Sequence, residues 1–361
     1  MKNNHTIRYI LIPLMIFLGI LWSFNSAVSQ KPPYPNAQFI TTAQWLHRHL
    51  NDKGLIVVDV RSGDHFDGNL IPGAVHVPWS DFRYNDLDNN LASTFVGIRQ
   101  ARKILGHAGI TRSDTVILYD SVERDGGATA SYVFWVLDML GHQNKKILER
   151  GIDAWTESGY DRVTTARKPV QLLYQAGLDE VRKNALIDGN FVYRQLDDPF
   201  YQIVDARSAK EYLGNAGTKG LDGTPLKLGH IPTAVNVNYT DAWKDLERKG
   251  IKPYAELQKL YRGIDPSKGI IIYCNSGRRS SFSYYILRLM GFENVFAYEA
   301  SWKEWGDPDH FFPVETNANK LTANTLPGVS TKVSAQQSSA KNDDSPTDAN
   351  APDSGYISCG G

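Results

Sequence analysis

The sequence predicts an α/β protein built as two tandem domains, each a parallel sheet flanked by helices. Three observations predict it. The chain has 361 residues, too many for one ordinary domain and suited to two of roughly 100–200. One pattern occurs twice along it. Within each copy, short apolar runs alternate with longer helix-like ones, the alternation that marks α/β proteins.

The first copy opens with Ile56-Val57-Val58-Asp59-Val60-Arg61 and soon reads Leu70-Ile71-Pro72-Gly73-Ala74-Val75. The second opens with Ile203-Val204-Asp205-Ala206-Arg207 and reaches Gly229-His230-Ile231-Pro232-Thr233-Ala234. Further on, Val116-Ile117-Leu118-Tyr119-Asp120 answers Ile270-Ile271-Ile272-Tyr273-Cys274, and the run ending in Trp155 answers the run ending in Trp302. The landmarks recur at offsets of 146, 154 and 147 residues, so the copies match in layout as well as in words. Thr115–Tyr119 is short, β-rich and apolar throughout, as is Gly269–Tyr273. Such runs read as strands buried on both faces, which means a parallel sheet. Ala128–Leu140 reads as a helix stopped by Gly141, and Ser280–Met290 as its partner stopped by Gly291. The domains are expected at 36–165 and 196–316. A connector at 166–195 carries short elements of its own, with Gln175–Ile187 too mixed to assign. Residues 317–361 are rich in Ser, Ala, Asn, Thr, Asp and Pro; they cannot bury enough surface to offset ordering entropy, and disorder is expected there.

Hydrophobic residues at 42% against 22% charged exclude wholesale disorder, collagen and a multi-span membrane protein. Lys+Arg and Asp+Glu balance at 39 each, which argues against nucleic acid as a partner, since phosphate binding needs a basic excess. Two cysteines, Cys274 and Cys359, exclude a disulfide scaffold and any Cys-rich metal centre. No His-Glu-x-x-His run occurs, and no metal is expected. At the N-terminus, Lys2 and Arg8 precede the apolar run Tyr9–Phe24, and small residues stand at Ala27 and Ser29. This is the pattern of a secretory signal, 1–29, cleaved after Ser29; the alternative is an uncleaved anchor, the only route to membrane contact. Either way the body is expected to be exported, periplasmic or secreted.

Cys274 ends an apolar strand, and Asn275-Ser276-Gly277-Arg278-Arg279-Ser280 leads into a helix. Ligand sites in open α/β sheets lie at such carboxyl strand ends. Backbone N–H groups of the loop can form an anion nest. Together with the helix dipole and Arg278 and Arg279, the nest would stabilise a thiolate, the nucleophilic form of cysteine. In the first copy Asp120 stands in place of the cysteine, and a carboxylate cannot form a persulfide. Asp59 with Arg61, and Asp205 with Arg207, are expected to be buried structural pairs. Trp155, Trp302 and Trp305 are expected in the core.

The repeat, the loop Cys274–Arg279 and the ending Ser301-Trp302-Lys303-Glu304-Trp305 resemble the two-domain rhodaneses, or thiosulfate sulfurtransferases, over residues 36–316. The resemblance implies two rhodanese-like domains, the first catalytically silent, and no cofactor. It implies that Cys274 takes the outer sulfur of thiosulfate as a persulfide, which a thiophilic acceptor, cyanide or a thiol, then removes. Arg279 would bind the donor's oxyanion with Arg278 as helper. The backbone of Asn275, Ser276, Gly277 and Ser280 would hold the persulfide.

Phosphatase-like members of this fold place Arg six residues after Cys; here that position is Ser280, and Arg279 comes one earlier, which favours sulfur over phosphate. Ser276 resembles the loop of 3-mercaptopyruvate sulfurtransferases, while the two arginines suit a dianion, so thiosulfate ranks above 3-mercaptopyruvate. A non-catalytic sulfur- or anion-binding module that docks a partner protein is the alternative from another class. Cys359, in the terminal Cys-Gly-Gly, is a candidate sulfur acceptor from Cys274; a regulatory disulfide and an idle tail cysteine are the competing readings. A protein thiol would then be a partner beside the small-molecule donor and acceptor.

Overall fold

The computed structural model describes residues 34–177 and 180–317; the N-terminal leader and the tail bearing Cys359 lie outside them. The first domain contains β1 (Ile40–Thr41), α1 (Ala43–His49), β2 (Leu55–Asp59), β3 (Val75–His76), β4 (Arg83–Asp86), β5 (Leu91–Phe95), α2 (Gly97–His107), β6 (Thr115–Tyr119), α3 (Ala128–Met139), β7 (Lys145–Leu148) and α4 (Gly151–Glu157). Then follow α5 (Gly189–Arg194), β8 (Tyr201–Asp205), α6 (Ala209–Tyr212), β9 (Val235–Asn236), α7 (Tyr254–Leu260), β10 (Gly269–Tyr273), α8 (Arg278–Leu289), β11 (Val295–Ala297) and α9 (Ser301–Trp305). Helix α5 falls in the stretch read as connector, yet its Val192 packs in the second domain's core with Trp302 and Trp305.

Two parallel sheets result. The first runs β1-β7-β6-β2-β3 and the second β11-β10-β8-β9. Their central pairings share one register: Asp59 faces Tyr119 where β2 meets β6, and Asp205 faces Tyr273 where β8 meets β10. All parallel pairing, with both faces covered by helices, explains why β6 and β10 are apolar without alternation. The hairpin β4–β5 stands apart from both sheets.

The domains join through α3 and α8, which pack against each other. Every residue of α3 is buried, as expected for a helix apolar all round, and Phe134 meets Tyr285 edge-to-face at 5.0 Å. One apolar core therefore runs through both domains. Inside this interface Asp138 accepts from Lys145 at 2.8 Å, Arg182 at 2.9 Å, Arg288 at 3.2 Å and the Tyr284 hydroxyl at 2.6 Å. Burial pushes its carboxyl up, but Lys145, Arg288 and Arg182 outweigh burial and bring it down to about 2. Among the described residues no helix is long and apolar enough to cross a membrane.

Asp138→Asn keeps the shape and strips the charge from three buried cations. The expected cost at neutral pH is about 3–5 kcal/mol, read by denaturant unfolding. Because the folded carboxyl titrates below its unfolded counterpart, its contribution is complete above about pH 4 and is lost as pH falls toward 2. The gap between parent and variant should close over that window.

Candidate active site

Cys274 follows the last residue of β10 and precedes the loop into α8. Gly277, the helix N-cap, has φ +87°, and a Cβ there would sit 2.9 Å from the Glu299 side chain. Only glycine takes that conformation without strain. It lets α8 begin at Arg278, two residues before the expected Ser280, and so puts both arginines in the first helical turn.

The residue is 1% exposed. Burial pushes the thiol up, yet the net shift is downward. Arg279 supplies the opposing charge, the Ser280 hydroxyl and amide donate to the sulfur, and so does the Ser276 amide. The Cys274 backbone N–H donates to Ser301 Oγ at 3.1 Å, and its carbonyl accepts from the Trp302 N–H at 3.1 Å. The Asn275 carbonyl accepts from Lys303 N–H at 3.0 Å, while Asn275 Oδ1 is buried with no partner in the protein. A thiol held this way can act as a nucleophile toward a small sulfur donor.

Both arginines point at carboxylates. Arg279 makes a fork to Glu211, at 2.8 Å through Nη1 and 2.7 Å through Nη2. Glu211 is in turn brought to about 2 against its burial, chiefly by Arg279 and then by Ser208. Arg278 reaches across the domain boundary to Asp125. The forks are thus engaged on carboxylates, and Arg279 acts on the sulfur through its charge.

The first domain closes over the loop. Arg83, from β4, donates to the Ser276 carbonyl. Glu299 is buried beside Gly277 and takes all its hydrogen bonds from the first domain: Tyr132 hydroxyl at 2.8 Å, Thr94 hydroxyl at 3.1 Å and Phe95 N–H at 3.2 Å. None of Arg83, Glu211, Glu299 or Ser301 was singled out by sequence reasoning. The Ser208-x-x-Glu211 capping box is a readable pattern, but its use as the Arg279 partner is not.

The repeat can now be placed in three dimensions. Asp205 and Arg207 form a buried pair at 2.7 Å, and Asp59 and Arg61 do the same at 2.7 Å. At the ends of the copies the sequence pairing needs correction. Trp302 N–H bonds the Cys274 carbonyl just as Ile152 N–H, at 2.9 Å, bonds that of Asp120. Ile152 is therefore the counterpart of Trp302, and Trp155 that of Trp305; both of these indoles donate to a later carbonyl, of Asp161 and Pro313. The slip arises because the first loop, Asp120 to Gly127, is longer than Cys274 to Gly277. All three tryptophans are buried. Asp120 occupies the nest of the first copy, accepting from Thr129 Oγ1 at 2.7 Å and Ala130 N–H at 3.0 Å, and burial still pushes it up to about 6.

Comparison with known proteins agrees with this duplication. The rhodanese-like domain model matches residues 42–158 and again 190–307. The thiosulfate sulfurtransferase of Corynebacterium glutamicum is 30% identical over 291 residues, covering 79% of this chain and 93% of that protein. Among solved structures, the wild-type EanB structure superposes with TM-score 0.65 at 21% identity, covering 77% of this chain and 69% of that one. The anaerobic ergothioneine biosynthesis enzyme from Chlorobium limicola, in complex with trimethyl histidine, gives 0.64 at 20%, covering 78% and 71%; at these identities the likeness speaks for the fold. Two family matches across most of the folded chain, with a relative aligned nearly end to end, establish that the protein belongs to the rhodanese family of sulfurtransferases.

Proposed function

We propose that the protein transfers sulfane sulfur from thiosulfate to a thiophilic acceptor through a persulfide on Cys274. The observation that carries this reading is the thiol itself: fully buried, yet shifted toward thiolate by Arg279, Ser280 and two loop amides. The Cys274 thiolate attacks the outer sulfur of thiosulfate. A cysteine–sulfur bond forms, the donor's S–S bond breaks, and sulfite leaves with the electron pair. Cyanide, or a thiolate, then attacks the outer persulfide sulfur; thiocyanate or a new persulfide departs and the Cys274 thiolate returns. The persulfide is also an anion, and the nest that favours thiolate favours it equally.

The donor is the open choice within this reading. Arg278 and Arg279 are paired with Asp125 and Glu211, which lessens their pull on a dianion. That pairing, with Ser276 two places after the cysteine, favours 3-mercaptopyruvate as the second reading. The Cys359 thiol is proposed as an acceptor carried on the tail, and the N-terminal apolar run supports an exported enzyme.

Reduced protein incubated with thiosulfate should gain one sulfur atom on the Cys274 peptide, removed by cyanide and absent in Cys274→Ala, as read by intact and peptide mass. An adduct with 3-mercaptopyruvate alone would reverse the donor. No adduct with either would replace the enzyme by a non-catalytic anion-binding module. Sulfur that migrates to Cys359 in the parent, with slower turnover on protein thiols in Cys359→Ala, would establish the carrier tail.

Arg279→Gln removes the only cation acting on the sulfur and leaves Glu211 uncompensated nearby. The thiol should rise by roughly 1–3 pH units, seen as an upward shift in the pH profile of alkylation by iodoacetamide. Arg279→Lys should recover part of the shift, whereas Arg278→Gln should leave the profile in place.

A further inference from the structure

The first domain holds a cavity where the second holds its cysteine. It is lined by Arg61, His65, Trp79, Asp120, Ser121 and Arg124, with Thr129 behind Asp120. Counted out to its mouth it is about 200 Å³, several times the roughly 30 Å³ share of one water. Three buried polar atoms on its lining residues have no hydrogen-bond partner in the protein: Trp79 Nε1, Ser121 Oγ and His65 Nδ1. Trp79 and Ser121 are each 6% exposed. Buried polar atoms left unmatched cost about 1–3 kcal/mol each, so an occupant that matches them is favoured.

The lining states what that occupant must offer. The indole N–H of Trp79 can only donate, so the occupant accepts. The Arg124 guanidinium lies over the Trp79 ring at 5.6 Å, which excludes a cation and favours an acceptor with negative charge. Opposite these donors, Asp120 uses Oδ2 for Thr129 and Ala130, and its Oδ1 is left to accept. A fully deprotonated oxyanion would meet that carboxylate with no proton between them. We propose that this cavity binds a small oxyanion that retains a proton, of the hydrogencarbonate or hydrogensulfite kind, which accepts from Trp79, Ser121 and Arg124 while donating to Asp120. Binding does not involve Cys274 and stands independently of the sulfur chemistry.

The test is calorimetric titration of the full-length protein at mildly alkaline pH. Hydrogencarbonate is the probe, sulfite the second probe on Cys274→Ala, and sulfate the control without a proton. Ser121→Ala and Trp79→Phe remove one donor each and keep the shape, and each should weaken binding about tenfold. Asp120→Asn should admit sulfate, which the parent rejects. Arg279→Gln, at the other site, should leave the affinity unchanged. A parent protein that binds neither probe overturns the proposal, as does binding that Ser121→Ala and Trp79→Phe both leave intact. If sulfite binds and hydrogencarbonate does not, the occupant is the sulfur oxyanion.

Discussion

The buried ion pair between Asp205 and Arg207 fixes the position of everything at the sulfur site. Asp205 Oδ2 accepts from Arg207 Nη2 at 2.7 Å and from the Tyr273 hydroxyl at 2.5 Å. Arg207 Nη2 also donates to the Gly229 carbonyl at 2.7 Å, and its guanidinium lies 4.1 Å over the Trp302 ring. The end of β8, the end of β10 and the Gly229–Ile231 segment are pinned at one point. Cys274 is the next residue after Tyr273, so the thiol cannot shift without breaking this cluster. A buried pair of this kind adds little net stability but is costly to disrupt; here its effect is positional.

The same cluster in the first domain supports a different resident. Asp59, Arg61 and Tyr119 repeat the arrangement, with Tyr119 Oη accepting from Ile71 N–H as Tyr273 Oη accepts from Ile231 N–H, each at 3.1 Å. Above it the nest is filled by the Asp120 carboxylate in place of a thiolate. Thr129 and Ala130 donate to it from the helix turn that, in the second copy, carries Arg279 and Ser280. The nest thus receives a negative charge in both copies. The difference is chemical: a carboxylate brings a permanent charge and no nucleophilic sulfur.

Strands were the most legible elements. Thr115–Tyr119 and Gly269–Tyr273 run as read, because a both-faces-buried strand must be continuously apolar. Helix starts were less legible: α8 begins on two arginines that carry no apolar signal, enabled by the backbone of Gly277. The Cys274 loop and the Asp–x–Arg pairs could be read because their members are neighbours in sequence. Glu211, Arg83 and Glu299 could not, since each acts on the loop from 65 or more residues away or across the domain boundary, and side-chain reach leaves no periodic trace. The end of the repeat misled for a related reason: the matching tryptophans are offset by the extra residues of the Asp120 loop, which only the Ile152 and Trp302 backbone bonds reveal.

These contacts give the silent domain a definite physical task. Glu299 belongs to the catalytic half, yet its partners Tyr132, Thr94 and Phe95 do not. Lys249 crosses in the same direction, donating to the carbonyls of Val122 and Arg124 at 2.6 and 3.1 Å. Alone, the catalytic half would expose the apolar face of α8 and leave the Glu299 carboxylate without its donors, immediately beneath Gly277. Asp125 meanwhile neutralises Arg278, so the field at the sulfur comes from Arg279 and the loop donors. The duplicated domain therefore does two things a single copy could not: it keeps water from the thiol side of the loop, and it decides which of two adjacent arginines the sulfur feels.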